Sequence, residues 1–93
     1  MRRFIIEREI PDAGSMERKQ LRAAAEKSNG VLHKLGPDIQ WVESYVTGDK
    51  IFCVYLAKDE SIIHEHARQS GFPANKVTEI RKVIDPTTAQ QAA

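Results

Sequence analysis

The chain has 93 residues, enough for one domain with a modest hydrophobic core, because compact domains usually span roughly 50 to 200 residues. Hydrophobic residues make up 41% of it and charged residues 29%, a balance that is typical of globular proteins and argues against a disordered or fibrous chain. The formal net charge is only +1, so the chain lacks the positive field that gathers nucleic acid, and nucleic acid is not an expected partner.

A membrane location is not expected either. No apolar run approaches the roughly 20 residues of a membrane span, and the first residues lead into a strand-like segment rather than a secretory signal. Cys53 is the single cysteine, which excludes an intrachain disulfide and fits a reducing compartment. The sequence therefore indicates a cytoplasmic protein.

The first predicted elements are a strand and a long helix. Residues 2–9 alternate, which places Phe4 and Ile6 on one side of a strand and Ile5 and Glu7 on the other. From residue 15 or 16 to residue 35, small and apolar residues recur at helical spacing. A serine at the start is placed to cap this helix, and a Gly-Pro pair ends it.

Residues 39–57 predict an antiparallel hairpin, the most informative stretch of the chain. Alternation puts one set of polar and aromatic residues on a single face, namely Trp41, Glu43, Tyr45, Cys53 and Tyr55. The opposite face carries the apolar row that is expected to pack against helices, namely Val42, Val46, Phe52, Val54 and Leu56. A register slip of one residue would exchange the two rows.

The last predicted elements are a short helix, a strand and a tail. Asp59 is placed to cap the helix. Residues 76–84 alternate again, with Glu79 and Arg81 expected beside the polar row of the hairpin. Residues 87–93 are small and polar, and we expect them to be mobile.

The element order β-α-β-β-α-β predicts an α+β, ferredoxin-like domain over residues 1–86, with a four-stranded antiparallel sheet and two helices on one face. The other sheet face is then left without helices. Part of this predicted open face is too apolar to remain in water as a large patch. A homodimer in which two such faces meet is the simplest arrangement that covers it.

Histidine and carboxylate side chains supply candidate metal ligands. In the run His64-Glu65-His66 the two histidines are two residues apart, so they point in different directions on a helix and are poorly placed for one ion. His66 lies beside the packed stripe and fits a structural role as well as a ligand role. His64 is expected to be solvated, and His33 to be exposed.

The predicted open face offers further candidates. Three carboxylates near Arg81 suit a cation or acid-base chemistry, although an interfacial salt-bridge network is the favoured interpretation: Glu7, Glu43 and Glu79. Cys53 is more typical of a small buried hydrophobe than of a nucleophile. The aromatic residues are expected at a dimer interface, or as a stacking surface for a flat ligand: Trp41, Tyr45 and Tyr55.

Six motifs spread over nearly the whole chain carry a resemblance to a known family. They are RFIIER at 3–8, AAAEKSN at 23–29, QWVESYV at 40–46, EHA at 65–67, GFPA at 71–74 and IDPTT at 84–88. The chain resembles the small bacterial, ferredoxin-like nickel-binding proteins that were first catalogued as a domain of unknown function and are common in actinobacteria.

The resemblance implies a homodimer that binds nickel or a related divalent ion at its surface and serves in metal sequestration or response rather than in turnover. It points first to His66 and to Glu43. Many members of the family have histidine where this chain has Glu43, so an oxygen ligand replaces a nitrogen ligand. That replacement weakens nickel selectivity, because imidazole suits nickel and carboxylate suits harder ions.

Three hypotheses about function follow. The first is a non-enzymatic, metal-binding homodimer with His66, His64 and Glu43 as ligands and with Cys53 and Glu7 as weaker candidates. The second is a small dimeric α/β-barrel enzyme or ligand carrier that holds an organic molecule in a cavity on the open face, among Glu43, Tyr45, Cys53 and Tyr55. The third is an interaction module without a ligand.

Overall fold

The structure is a computed structural model that describes residues 1–92. Its elements are β1 (Arg2–Glu9), α1 (Arg18–Leu35), β2 (Ile39–Val46), β3 (Lys50–Ala57), α2 (Glu60–Ser70) and β4 (Lys76–Ile80). The four strands form one sheet in the order β2-β3-β1-β4, and each neighbouring pair is antiparallel. The predicted ferredoxin-like α+β fold is therefore confirmed.

The strand register shows which sheet face the helices cover. Phe4 of β1 pairs with Tyr55 of β3 and with Glu79 of β4, and directly paired residues lie on the same face. Phe4 and Tyr55 belong to the buried core together with Ile63 of α2. The helix-covered face thus carries Phe4, Ile6, Arg8, Trp41, Cys53, Tyr55, Val77 and Glu79.

The other side of the sheet is the open face. Its apolar and aromatic residues are Ile5, Tyr45, Phe52, Val54, Leu56 and Ile80, and its polar and charged residues are Arg3, Glu7, Glu9, Gln40, Glu43, Lys50, Lys76 and Thr78. The predicted placement of Cys53, Tyr55, Trp41 and Glu79 on this face is wrong, because both faces of β3 are apolar and alternation alone does not tell which one meets the helices. The open face consequently combines an apolar row from β3 with charged residues that include Arg3, Lys50 and Lys76.

A β-bulge in β2 separates residues that a regular strand would keep together. Trp41 pairs with Tyr55, and Glu43 pairs with the next residue of β3, Val54, so that Val42 is the extra residue. Glu43 and Tyr45 therefore lie on the open face while Trp41 turns toward the helices. The predicted common face for these three residues is wrong for this reason.

The bounds of two elements differ from the prediction. Helix α1 begins at Arg18, and Glu17 is its N-cap through a reciprocal capping box with Gln20, while the serine expected as the cap lies in a 3-10 turn, Ala13–Ser15. Strand β4 ends at Ile80 rather than at residue 84. Beyond it, residues 86–90 form a second 3-10 turn, and the last residue of the predicted mobile tail lies outside the described residues.

The two helices pack on the sheet to different degrees. In α2, Ile63, His66 and Ser70 are buried, and Asp59 caps the helix as predicted by accepting a hydrogen bond from the backbone N–H of Ile62. In α1 only Ser28 and Val31 are buried. The N-terminal half of α1 therefore stands away from the sheet. Among residues 1–92, neither helix combines the length and the apolar composition that a membrane span requires.

Candidate functional site

A cavity of about 840 Å³ lies between the N-terminal half of α1 and the helix-covered face. We call it the α1 cavity, and its wall includes Arg8, Ala24, Ala25, Ser28, Trp41 and Tyr55. The space arises because the alanines of α1 that face the sheet are too short to reach it. Ligand pockets commonly have volumes of roughly 300 to 1,000 Å³, so this cavity has the size of a small-molecule site.

Arg8 is a buried cation in the wall of the α1 cavity. It is 3% exposed, and its Nη1 donates to the carbonyl of Pro73 at 2.8 Å while its Nε contacts the Cys53 Sγ at 3.3 Å. Its Nη2 is buried without a hydrogen-bond partner. Among residues 1–92, no carboxylate lies within 4.0 Å of its nitrogens. The charge is thus compensated only by neutral groups, which is unusual for a buried arginine.

His66 lies behind this cation and is neutral. Its Nε2 is 3.1 Å from the Ser28 Oγ, and its ring lies against that of Tyr55 with 5.3 Å between centroids. Burial and the nearby Arg8 charge lower the pKa of His66 to about 4. His66 is 1% exposed, so its ring acts as a packed structural group that links α1 to α2.

Tyr55 and Cys53 complete the polar groups at the base of the cavity. Burial raises the pKa of Tyr55, although the Arg8 charge opposes this shift. Cys53 is a free thiol that is 5% exposed, in agreement with the interpretation of this residue as a small buried hydrophobe. Both residues lie on the helix-covered face, where they face Arg8 and not an open-face cavity.

The structure does not bring the candidate metal ligands together. His66 and Cys53 are buried beneath the helices, His64 is on the outer side of α2, and Glu43 and Glu7 lie on the open face. In the described part of the chain, no group of three or more His, Cys, Asp or Glu side chains is close enough to hold one metal ion. Residues 1–92 of one chain therefore do not bring three such ligands together.

The predicted open-face carboxylate cluster is dispersed. Glu7 lies between two lysines, 3.6 Å from the Lys50 Nζ and 4.0 Å from the Lys76 Nζ. Glu43 accepts a hydrogen bond from Tyr45, and this bond raises the pKa of the phenol. Glu79 belongs to the opposite face.

Two further groups of the predicted cluster lie at the end of the sheet. Glu79 accepts from Arg2 at 2.8 Å, and this hydrogen bond lowers the pKa of its carboxyl. Arg81 is exposed just beyond β4. The expected cation site or salt-bridge network of Glu7, Glu43 and Glu79 with Arg81 is therefore not assembled within one chain.

One nitrogen-oxygen pair was missed in the sequence. The His64 Nε2 lies 3.0 Å from the Glu60 Oε2, and both side chains are about half exposed. Residues four apart share one face of a helix, which is the spacing of helical metal-binding pairs. The signal is the spacing Glu60-x-x-x-His64, which overlaps the more conspicuous run His64-Glu65-His66.

Arg8 was missed as well, although its signal was stronger. The alternation that places Phe4 and Ile6 in the core continues directly to Arg8. An arginine at a core position of a strand requires an explanation, because arginines are almost never fully buried unless they are paired. Reading the first strand to its end would have indicated a buried cation.

The fold and the cavity define a small α+β protein of the ferredoxin-like class with a basic cavity under one helix. Residues 4–80 match the family described as nickel responsive protein SCO4226-like. Because this match covers most of the chain, the chain belongs to that family, and the resemblance drawn from its motifs is confirmed.

A solved structure supports the fold independently. The chain is similar to the crystal structure of SCO4226 from Streptomyces coelicolor A3(2), with a TM-score of 0.75 and 12% sequence identity, over 88% of this chain and 99% of that chain. At this identity the similarity establishes the fold alone. No curated protein sequence matches the chain.

Proposed function

We propose that this chain is a non-catalytic, nickel-responsive protein that binds a divalent metal ion at an exposed pair of side chains on α2. The family match motivates the choice of nickel, and the carrying observation is the Glu60–His64 pair. Imidazole nitrogen is a preferred donor for nickel, and a carboxylate on the next helical turn supplies a second donor. His66, which the resemblance favoured, is less suited because it is 1% exposed.

Two donors leave most coordination positions of the ion to water or to a second molecule. Since residues 1–92 contain no cluster of three ligands, we propose reversible binding that follows the metal concentration rather than tight sequestration. Glu43 and Glu7 lie on the far side of the sheet from α2, so they do not complete this pair within one chain. The physiological setting that we propose is the cytoplasm, where the Cys53 thiol stays reduced.

We also propose that the chain is a homodimer that pairs through its open face. The apolar surface of this face consists of Ile5, Phe52, Val54, Leu56 and Ile80, with Arg3 between Leu56 and Ile80. All of these apolar residues except Val54 are only partly buried in one chain. Tyr45, at the edge of this surface, is 51% exposed. A symmetric contact between two such faces covers the apolar surface, which is the usual way in which small domains remove such patches from water.

Nickel titration of tag-free protein tests the metal proposal. We expect saturable heat with NiCl₂ in the wild type, a loss of affinity of about tenfold or more in His64→Ala because the nitrogen donor is gone, and unchanged binding in His33→Ala, which removes another exposed histidine.

The controls separate this site from the earlier candidates. Glu60→Gln should weaken nickel binding, while Glu43→Gln should leave it unchanged. Wild-type protein that releases no heat with millimolar nickel, or His64→Ala protein that binds as the wild type does, refutes the assignment. Loss of binding in Glu43→Gln alone would move the site to the open face.

A further inference from the structure

We infer that the α1 cavity is a binding site for a small amphipathic carboxylate, whose anionic group pairs with Arg8 and whose apolar body lies beneath α1. This inference goes beyond the proposed metal response and does not depend on it. It rests on three observations: the size of the cavity, the uncompensated charge of Arg8, and the charge distribution of the wall.

The buried charge of Arg8 calls for an anion. A guanidinium removed from water is costly unless an acceptor of opposite charge pairs with it. The hydrogen bonds of Arg8 go to a carbonyl and a thiol, and its Nη2 has no acceptor. Its Cζ also lies 6.0 Å from the Tyr55 ring centroid and 5.9 Å from that of Phe72, but neither ring carries a negative charge. A carboxylate can accept two parallel N–H bonds from the planar guanidinium, which is the geometry that arginine binds best.

The charged side chains at the rim of the cavity are positive, like Arg8. Arg18 and Arg22 of α1 also line the space, and both are exposed. Arg22 is engaged with Glu26 at 3.0 Å, whereas Arg18 forms no ion pair with any of residues 1–92. No aspartate or glutamate of the described chain lines the cavity. A wall with three arginines and no acidic side chain attracts anions and rejects cations.

The rest of the wall suits an apolar body. Leu21, Ile51 and Val46 supply aliphatic surface, and Trp41 and Phe72 supply aromatic surface. A free inorganic anion would leave this surface against water, whereas an alkyl or aryl chain would bury it. The ligand class that satisfies both parts is therefore a monocarboxylate with a medium-length hydrocarbon chain or a single ring system.

The remaining polar groups lie near the cation and are compatible with a carboxylate. Ser28 and Tyr55 carry hydroxyl groups at the wall. Ser28 contacts His66, which is neutral at physiological pH because its pKa is about 4. Ser28, Tyr55 and His66 are thus neutral, so none of these three side chains offers Arg8 a negative charge in place of an anionic ligand.

Trp41 provides a direct readout, because it is the only tryptophan of the chain and lines the cavity. The test titrates octanoate and octanol into metal-free protein and follows Trp41 fluorescence. We expect octanoate to bind about tenfold to a hundredfold more tightly than octanol, since a hydrogen bond to a charged partner contributes roughly that ratio. In Arg8→Met this preference should disappear.

Two variants serve as controls. Arg3→Met removes an arginine from the open face of the same strand and should keep the preference for octanoate. Ala25→Phe fills the cavity while it leaves Arg8 in place, so both probes should lose binding. If Arg8→Met does not fold, Ala25→Phe decides the location of the site by itself.

Each contrary result has a defined meaning. Equal affinity of the wild type for octanoate and octanol removes the role of Arg8, and tight octanoate binding by Ala25→Phe removes the cavity. No saturable change in Trp41 fluorescence at millimolar octanoate refutes the ligand class. Nickel titration of Arg8→Met distinguishes the two proposals. If this variant still binds nickel but no longer prefers octanoate, the metal proposal stands whatever the outcome for the α1 cavity.

Discussion

Arg8 is the residue at which stability and a ligand role oppose each other. If the cation were kept for the fold, its removal would cost several kcal/mol. Arg8 is buried with one unpartnered nitrogen. We therefore expect the free energy of unfolding of Arg8→Met, measured in urea, to be higher than that of the wild type or within about 1 kcal/mol of it. The reason is that methionine retains the aliphatic stem and removes a desolvation cost of about 1 to 3 kcal/mol.

The comparison variant for this prediction is Arg8→Ala, which also removes the stem. It should be less stable than Arg8→Met, because it enlarges the empty space among Tyr55, Phe72 and Cys53. A loss of more than about 2 kcal/mol in Arg8→Met would show that the guanidinium holds the fold together through Pro73 and Cys53. Such a loss would weaken the argument that Arg8 is retained to bind a ligand.

His66 gives a pH-dependent prediction at the same scale. Its pKa in the folded chain is about 4, below the value of about 6.5 in an unfolded chain. Between these pH values the unfolded state therefore binds more protons than the folded state. The contribution of His66 to the free energy of unfolding is thus fully present above about pH 6.5 and decreases as the pH falls toward 4. The loss amounts to at most about 3 kcal/mol.

Urea unfolding at pH 7 and at pH 4.5 measures this effect. His66→Gln, which keeps a polar group beside Ser28, should flatten the dependence in this window, whereas His64→Gln should retain it because His64 is exposed. The pKa values of Glu65 and Asp59 are lowered by hydrogen bonds to their side chains, so these carboxyls act at lower pH. An equally steep dependence in His66→Gln would contradict the assignment.

At the scale of the element, the bulge in β2 decides which side chains reach the cavity. Val42 is the unpaired residue, and the pairs on both sides of it remain in register. Deleting Val42 should therefore restore a regular ladder with Trp41 and Ser44 still on the helix-covered face, and stability should change by no more than about 1 kcal/mol.

The matched control is deletion of Ser44, which lies outside the bulge. It removes the acceptor of the Trp41 indole N–H at 2.9 Å and brings Tyr45 into register with Cys53, so it should lower the urea midpoint clearly. Emission of Trp41 should stay at the same wavelength in the Val42 deletion and move in the Ser44 deletion. A red shift after deletion of Val42 would show that the strand turns over.

The sequence was sufficient for the element order, for the Asp59 cap and for the inner position of Phe4, because each follows from local pattern or local chemistry. It was insufficient for the faces of β3. Cys53 and Tyr55 alternate with Phe52 and Val54, so both faces are apolar enough to be covered, and only the pairing of Tyr55 with Phe4 decides between them. That pairing joins residues far apart in the sequence.

The candidate site was less accessible than the fold for a related reason. A cavity arises where side chains are too short to fill the space between elements. In the sequence, the small residues of α1 at positions 24 and 25 are indistinguishable from an ordinary inward-facing stripe. The capping pair Glu17 and Gln20 was equally readable, yet a serine earlier in the chain offered a competing cap. Local chemistry therefore predicted elements better than it predicted the space between them.

At the scale of the whole molecule, the proposed ligand site and the proposed dimer contact lie on opposite sides of the sheet. The α1 cavity lies on the helix-covered face, and the proposed dimer contact lies on the open face. Phe52→Glu places a charge on the apolar surface of the open face, directly opposite Glu7, and should convert a dimer into a monomer, because a buried unpaired carboxylate is costly at an interface.

Light scattering after size exclusion measures this change. The wild type should have twice the chain mass of 10.5 kDa, and Phe52→Glu should have that mass once. Val83→Glu, which alters a 70% exposed residue beyond β4, should remain dimeric. Thr78→Arg changes an exposed position of the open face, so it repeats the test with less risk to folding. A wild-type protein that is monomeric at every concentration refutes the dimer.

The same variant then links the two sides. Since Phe52 points away from α1, monomeric Phe52→Glu should still bind octanoate with the wild-type affinity, and its Trp41 response should be unchanged. Loss of octanoate binding together with dimerisation would mean that the second chain shapes the cavity through the sheet. Retention of binding would establish that one chain holds the complete ligand site and that the open face serves assembly alone.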